Sequence, residues 1–155
     1  MLRAARILAV RAGSDGAVSV FASDDADVIL DVDGYFAPPL RGGLSLYTNP
    51  PCRVLDTRPR TISLEAAFRF GDTPCGSTVT ANIFVINATV VPVGPLGYLA
   101  LWNGYPPQPS VSTLNALDGA ITSNMAIVGA YFNEIDTFSD GTTNLIIDIS
   151  GSFAP

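Results

Sequence analysis

The chain has 155 residues, of which 48% are apolar and 14% charged, so it is long enough for one domain with a substantial core and too apolar for an intrinsically disordered protein. It contains no histidine, and its eight basic residues are all arginine, which excludes a histidine general base, a histidine metal ligand, a Walker lysine and a Schiff-base lysine. Every arginine lies at or before Arg69, whereas six carboxylates and no basic residue occur from position 70 onward, so neither a nucleic acid nor an anionic membrane is an expected partner.

Residues 1–38 are predicted to contain short strands after a mildly helical stretch at residues 2–8. The apolar run that begins at Ile7 has too few residues for a signal peptide, and the chain contains no apolar run of membrane-spanning length. We therefore expect no signal peptide in this chain and no membrane contact. The predicted strands are residues 7–10, 18–22 and 28–32.

Residues 39–155 are predicted to form many short strands, because apolar runs alternate with clusters of turn-forming residues. The stretch 64–68 is mildly helical but too short to define the fold class. The pattern predicts an all-β fold, specifically a β-sandwich, with a jelly roll as one arrangement of its strands. The turn clusters are residues 49–51, 71–74, 92–95, 105–109 and 140–141, and the predicted strands are residues 44–48, 52–56, 68–70, 79–91, 97–102, 112–117, 124–128, 135–138 and 145–149.

An internal repeat relates the two parts of the chain. Residues 21–38 align without gaps on residues 138–155, with seven identities in 18 positions and a shared Phe-Ala-Pro ending. Residues 1–38 are therefore predicted to be the C-terminal strands of a preceding repeat, and residues 39–155 a complete repeat unit. Chance similarity between two strands of one type is the alternative. The apolar positions also coincide, since Val28, Leu30 and Val32 correspond to Leu145, Ile147 and Ile149.

Several motifs of the complete unit are similar to those of a known bacterial module. They are Pro-Cys-Arg-Val-Leu-Asp-Thr-Arg at residues 51–58, the segments 86–92 and 94–99, Ser-Thr-Leu-Asn-Ala at 112–116, and the Asp-x-x-Gly-x-Phe-Ala-Pro ending. In these motifs the chain resembles a module that is repeated in tandem in large secreted and surface proteins of bacteria. The resemblance covers essentially the whole chain. It implies an extracellular or cell-surface location and a sandwich architecture, and it carries over no catalytic residue.

The chain departs from its own repeat pattern near the C-terminus. Ser150 and Ser152 stand where the partial copy has Asp33 and Tyr35. No common role is therefore assigned to these positions.

Cys52 and Cys75 are the only two cysteines. A bridge between them would close a loop of about 24 residues and stabilise the fold by about 3 kcal/mol in the chain-entropy model. Two buried free thiols are the alternative. Two cysteines without a histidine do not form an ordinary zinc site.

Clusters of aspartates can supply oxygen ligands to Ca²⁺, which takes about six to eight of them. None of the clusters has the spacing of an EF-hand loop. The alternative is that these carboxylates accept hydrogen bonds from turn backbone or from arginine. No other cofactor is expected. The candidate calcium ligands are Asp24, Asp25, Asp27, Asp31 and Asp33.

A histidine-independent hydrolase is a further alternative, because glycoside hydrolysis needs two carboxyl groups and no histidine. No pair of carboxylates is marked by its position, so a non-enzymatic role is favoured. Asp56 and Arg58 lie two apart in an extended segment, which predicts a structural salt bridge. Asp148 lies inside an apolar run, which predicts a buried, hydrogen-bonded carboxylate. The weak catalytic candidates are Asp56, Glu65, Asp118 and Asp148.

A carbohydrate-binding surface is the second functional hypothesis. Trp102 and Tyr105 flank Asn103-Gly104 ahead of a proline-rich loop, and aromatic rings beside amides are typical of sugar-binding surfaces. The alternation of Trp102 with Tyr98 and Ala100 is equally typical of a core position. The predicted ligand-binding residues are Trp102, Asn103, Tyr105 and Gln108.

The first functional hypothesis is a structural or adhesive repeat that self-associates. Residues 1–38 have the strand pattern of a repeat but lack the remainder of that repeat. Unpaired strand edges and an apolar face favour pairing with the complete unit or with a neighbouring chain, which predicts a homo-oligomer. An arginine-rich first half and an anionic second half would assist such pairing.

Overall fold

The computed structural model describes residues 13–25, 27–28, 30, 32, 34–38, 42–70, 75, 82–105 and 107–155. Its strands all lie in the second of the two predicted repeat segments. The predicted strand at residues 7–10, the helical stretch at 2–8, and Asp31 and Asp33 lie outside the described residues. The seven strands are β1 (Ser45–Asp56), β2 (Ile62–Arg69), β3 (Ile83–Pro92), β4 (Leu96–Trp102), β5 (Leu114–Ala116), β6 (Thr122–Gly129) and β7 (Glu134–Ala154).

Strand β7 organises the sheet, because it pairs with four other strands. Its first part lies between β2 and β4, and its second part lies between β1 and β3. Strand β6 extends the sheet beyond β3, and β5 extends it beyond β4. All these pairings are antiparallel, which confirms the predicted all-β fold.

The predicted break at residues 140–141 is a corner inside a continuous strand. Along β2 the pairing passes from Ile62 opposite Thr143 to Leu64 opposite Ser139, so β7 carries extra residues at this point. The Ser139 hydroxyl donates to the Gly141 carbonyl at 2.6 Å. The two strands predicted at residues 135–138 and 145–149 are therefore the two parts of β7, because this irregularity bends the strand without ending it.

Three other local predictions were wrong. The helical stretch at residues 64–68 lies in β2, because pairing with β7 overrides a weak local preference. The turn predicted at residues 49–51 lies within β1, where the register with β7 shifts between Thr48 and Cys52. Residues 18–22, predicted as a strand, belong to no strand.

The core lies on one face of β3, β4, β6 and β7. Alternate residues of β3 are fully buried, and so are Leu145 and Ile147 of β7. Both parts of β7 contribute to the same hydrophobic cluster. Thr137 and Ser139 are buried in it with their hydroxyls donating to backbone carbonyls, which removes the cost of burying them.

A disulfide joins Cys52 to Cys75, with 5.6 Å between the Cα atoms. This confirms the bridge that the cysteine content predicted. The closed loop contains β2, so the bridge ties β1 to the chain that follows β2. Within the described residues there is no helix with the length and hydropathy that a membrane crossing requires.

Candidate functional site

The end of β4 carries the predicted ligand-binding residues. Leu99 and Leu101 point into the core, whereas Trp102 belongs to the opposite face, opposite Asp136 of β7. Trp102 is only 9% exposed. Asn103 is partly buried after it, and Tyr105 is 78% exposed.

The loop after β4 folds back on the strand. The Gln108 amide donates to the Tyr98 hydroxyl at 3.2 Å, so Gln108 lies beside the outer face of β4. The Leu101 N–H donates to the Thr113 hydroxyl at 2.9 Å, and the Thr113 N–H donates to the Leu99 carbonyl at 2.7 Å. Trp102 is thus nearly buried at the end of β4, whereas Tyr105 is exposed in the loop that follows.

Tyr105 contacts Tyr131, which in turn contacts Phe132, and the sequence singled out neither of these two aromatic residues. Its ring centroid lies 5.3 Å from that of Tyr131, and the Tyr131 and Phe132 centroids are 4.5 Å apart. Tyr131 is 49% exposed and Phe132 79%. We call Tyr105, Tyr131 and Phe132 the aromatic surface. Beside it is an open depression of about 410 Å³ lined by Asn82, Ala130, Tyr131, Phe132 and Asn133.

Tyr131 and Phe132 are held in place by the hairpin between β6 and β7. Tyr131 and Glu134 exchange backbone hydrogen bonds at 3.0 and 2.9 Å, so the turn has two central residues. Both have positive φ, 49° at Phe132 and 60° at Asn133, as a type I′ turn requires. Asn suits this conformation, but Phe does not. The usual Asn-Gly signal is missing here, which explains why the hairpin and its aromatics were not predicted.

An acidic group lies next to this hairpin on the outer face of β2 and β7. Asp136 has its pKa raised by burial first, and then by repulsion from Glu134 and Glu65. Glu65 and Asp136 line a shared depression of about 210 Å³. Glu134 is paired with Arg69 at 2.6 Å. Among the hydrolase candidates, Glu65 thus lies near a second carboxylate, as do Asp56 and Asp148, which share Arg53.

Asp56 and Asp148 are held by arginines. The Arg53 guanidinium donates to both carboxylate oxygens of Asp148, at 2.9 and 3.3 Å. Arg58 donates to both oxygens of Asp56, at 2.8 and 2.5 Å. Hydrogen bonding from Arg58 is the main reason that the pKa of Asp56 falls to about 2. Asp56 is therefore held as an ion by its partner, which disfavours proton transfer by this carboxylate.

The other predicted acidic residues lie apart from these groups. Asp118 is exposed and accepts the Ala120 N–H at 3.0 Å, as a turn carboxylate does. Asp24, Asp25 and Asp27 are exposed. Within the part of the chain that the structure describes, no three metal-ligating side chains form a group suited to a cation.

The N-terminal segment presents apolar side chains to solvent. Val28, Leu30 and Val32 are 53, 65 and 87% exposed. Their counterparts in the repeat, Leu145, Ile147 and Ile149, are at most 1% exposed in the core. The segment approaches the domain near its end, where the Phe36 and Phe153 rings lie 5.9 Å apart.

Comparison of the chain with protein-family models, with curated proteins and with solved structures finds no match. The tandem-repeat resemblance and the division at residues 38 and 39 therefore stay predictions.

Proposed function

We propose that this protein is an extracellular structural or adhesive repeat module that self-associates through residues 1–38. One observation carries the proposal. Three apolar residues, Val28, Leu30 and Val32, stand exposed in a pattern that is fully buried when it recurs in β7.

Exposed apolar side chains at alternating positions favour burial in a sheet. Burying Val28, Leu30 and Val32 would stabilise an assembly by roughly 1.5–3 kcal/mol per side chain at full burial. Among the described residues between 13 and 38 none belongs to a strand, so no strand pairing competes with the addition of Val28, Leu30 and Val32 to a strand edge.

A second copy of the chain offers such an edge. Among the described strands, β1 pairs with β7 alone, so no other described strand occupies its second edge. Leu46 and Tyr47 on β1 are 47 and 54% exposed. We propose that residues 28–36 of one copy add to β1 of the next, which gives a head-to-tail assembly.

The proposal predicts that charge in the exposed apolar pattern abolishes association. The variant Leu30→Asp with Val32→Asp places carboxylates at the positions that would be buried, so we expect it to be a monomer where the full chain is an oligomer. Light scattering of the purified proteins measures the mass.

The matched control is Val93→Asp, which adds a carboxylate at an apolar position, 73% exposed, in the turn between β3 and β4. It is expected to keep the oligomer. A full-length chain that is monomeric at high concentration, or an oligomer that survives the double substitution, would contradict the proposal.

A further inference from the structure

We propose that the aromatic surface binds a neutral carbohydrate chain, with the rings of Tyr105, Tyr131 and Phe132 as its apolar contacts. This site lies in the loops after β4 and β6, whereas the self-association proposed above uses residues 28–36 and β1. The two proposals therefore stand independently.

Adjacent aromatic rings from two separate loops are exposed together. Tyr105 comes from the loop after β4, and Tyr131 and Phe132 come from the β6–β7 hairpin. Their centroids lie 5.3 and 4.5 Å apart, and the rings remain 49 to 79% exposed. The Tyr105 and Tyr131 rings are inclined at 40° and the Tyr131 and Phe132 rings at 70°, so together they form an angled apolar surface for a ligand that has an apolar face and a polar rim. A sugar ring has both.

Asparagine side chains lie beside the aromatic surface. Asn82 and Asn133 line the depression beside Tyr131 and Phe132. Asn103 lies on the same side of the molecule, since a Cβ on Gly129, at the end of β6, would meet its side chain at 3.3 Å. An amide both donates and accepts hydrogen bonds, as a hydroxyl does, so these side chains match a polyhydroxylated ligand.

The charges around the depression favour an uncharged ligand. The described residues that line the depression carry no charge. Nearby, the Arg69 guanidinium is already paired with Glu134, while Glu65 and Asp136 add negative charge. An anionic polymer would be repelled from this side, so the ligand is a neutral one.

The shape of the depression also bears on its ligand. It is open to solvent, so a ligand there would lie along the surface and not inside a closed pocket. Three side chains are far fewer than the roughly 20–30 residues that a stable protein interface takes from each partner. Short segments of a sugar chain fit this area, whereas a protein partner needs more.

Phe132 provides the sharpest test, because its ring is expected to contribute to binding whereas its backbone conformation lowers the stability of the turn. Its φ of 49° is unfavourable for Phe and easy for Gly. Phe132→Gly therefore removes part of the aromatic surface and at the same time relieves the unfavourable backbone conformation of the turn. Loss of binding without loss of folding is the expected signature of a binding role.

The experiment is native gel electrophoresis of the full chain in gels that contain soluble β-glucan, mannan or xylan, with polygalacturonate as the anionic comparison. We expect at least one neutral polysaccharide to retard the protein. Tyr105→Ala and Phe132→Gly should each weaken the retardation by about tenfold or more, since ring truncation at the centre of a site has effects of this size. Thermal unfolding should show that Phe132→Gly is at least as stable as the parent chain.

The matched control is Ile121→Ala, which trims an apolar side chain that is 71% exposed just before β6 and should leave retardation unchanged. Three results would overturn the proposal. The parent chain could show no retardation in any of the three neutral gels, or it could be retarded more strongly by polygalacturonate. Ile121→Ala could also lose as much retardation as Tyr105→Ala and Phe132→Gly do. The double variant at Leu30 and Val32 should still bind, so failure of self-association and failure of sugar binding are distinguishable.

Discussion

At the scale of single residues, a series of ion pairs connects the end of β1 with β7 and with the turn that follows β1. Arg53 bridges Asp148 and Asp56, with Nη1 3.7 Å from Asp56, and Arg58 holds Asp56 from the other side. These pairs fix the end of β1 against β7 and the turn that follows it. The sequence predicted the Asp56–Arg58 pair from spacing alone, whereas the Arg53–Asp148 pair depends on the antiparallel register and was out of reach.

Protonation of Asp56 should remove this support in acid. Its pKa is about 2 in the folded protein because Arg58 and Arg53 stabilise the carboxylate, and it is near 4 in an unfolded chain. A depressed pKa means that the stabilising contribution is complete above about pH 4 and disappears as the pH falls through about 2. Urea unfolding should therefore show the parent chain more stable than Asp56→Asn at about pH 6, with the difference closing towards pH 2.

The control for that series is Asp25→Asn, which changes an exposed carboxylate in the N-terminal segment. It should match the parent chain at both pH values. A constant difference between the parent and Asp56→Asn across the whole pH range would show that the carboxylate acts through packing and not through its charge.

At the scale of elements, the repeat provides a matched pair of glycines. A Cβ on Gly151 would lie 2.8 Å from the Tyr47 carbonyl oxygen of β1, whereas a Cβ on its counterpart Gly34 meets nothing within 4 Å. Gly151→Ala should therefore force β1 and β7 apart and lower the free energy of unfolding by about 1–3 kcal/mol. Gly34→Ala should change it by less than about 0.5 kcal/mol. Urea denaturation of both variants measures this, and equal effects would rule out the close approach as the reason for glycine at 151.

The comparison of Gly34 with Gly151 also provides a test of the proposed self-association. If residues 28–36 pair with a strand of a second copy, Gly34 gains a neighbouring backbone that it lacks in one chain. Gly34→Ala should then weaken the oligomer without weakening the fold, as light scattering and denaturation would show together. Unchanged assembly would place the contact away from Gly34.

Sequence reasoning succeeded where the signal is local or compositional. The all-β class follows from short apolar runs between turn residues, and the Cys52–Cys75 bridge follows from there being two cysteines. It failed at residues 140–141 and 49–51, because Pro, Asn and Gly mark bulges and corners as well as chain reversals. Tyr131 and Phe132 escaped notice because only the fold brings them beside Tyr105.

At the scale of the whole molecule, β7 makes the two parts of the sheet depend on each other. Its first part pairs with β2 and β4, and its second part pairs with β1 and β3. Both parts contribute side chains to one hydrophobic core. Neither part can separate from the other without exposing residues of this core. The sequence pattern placed two separate strands here, so it could not have indicated this coupling.

Because β7 couples the two parts of the sheet, we expect a single cooperative unfolding transition. A fluorophore in one part should therefore report a destabilising substitution in the other part. Trp102 is the only tryptophan and pairs in the first part of β7, whereas Phe84 is fully buried in β3, opposite Ser152 in the second part. Phe84→Ala removes the edge-on contact with Phe70, whose centroid is 5.6 Å away, and should lower the free energy of unfolding by roughly 3–5 kcal/mol. The unfolding midpoints measured by tryptophan fluorescence and by far-UV circular dichroism should fall by the same amount, because β4 and β3 both pair with β7 and unfold with it.

The control is Val93→Ala at an exposed position, which should leave both unfolding midpoints unchanged. A fluorescence midpoint that stays put while the dichroism midpoint falls would mean that the parts of the sheet unfold separately and that β7 is a hinge between two independent units.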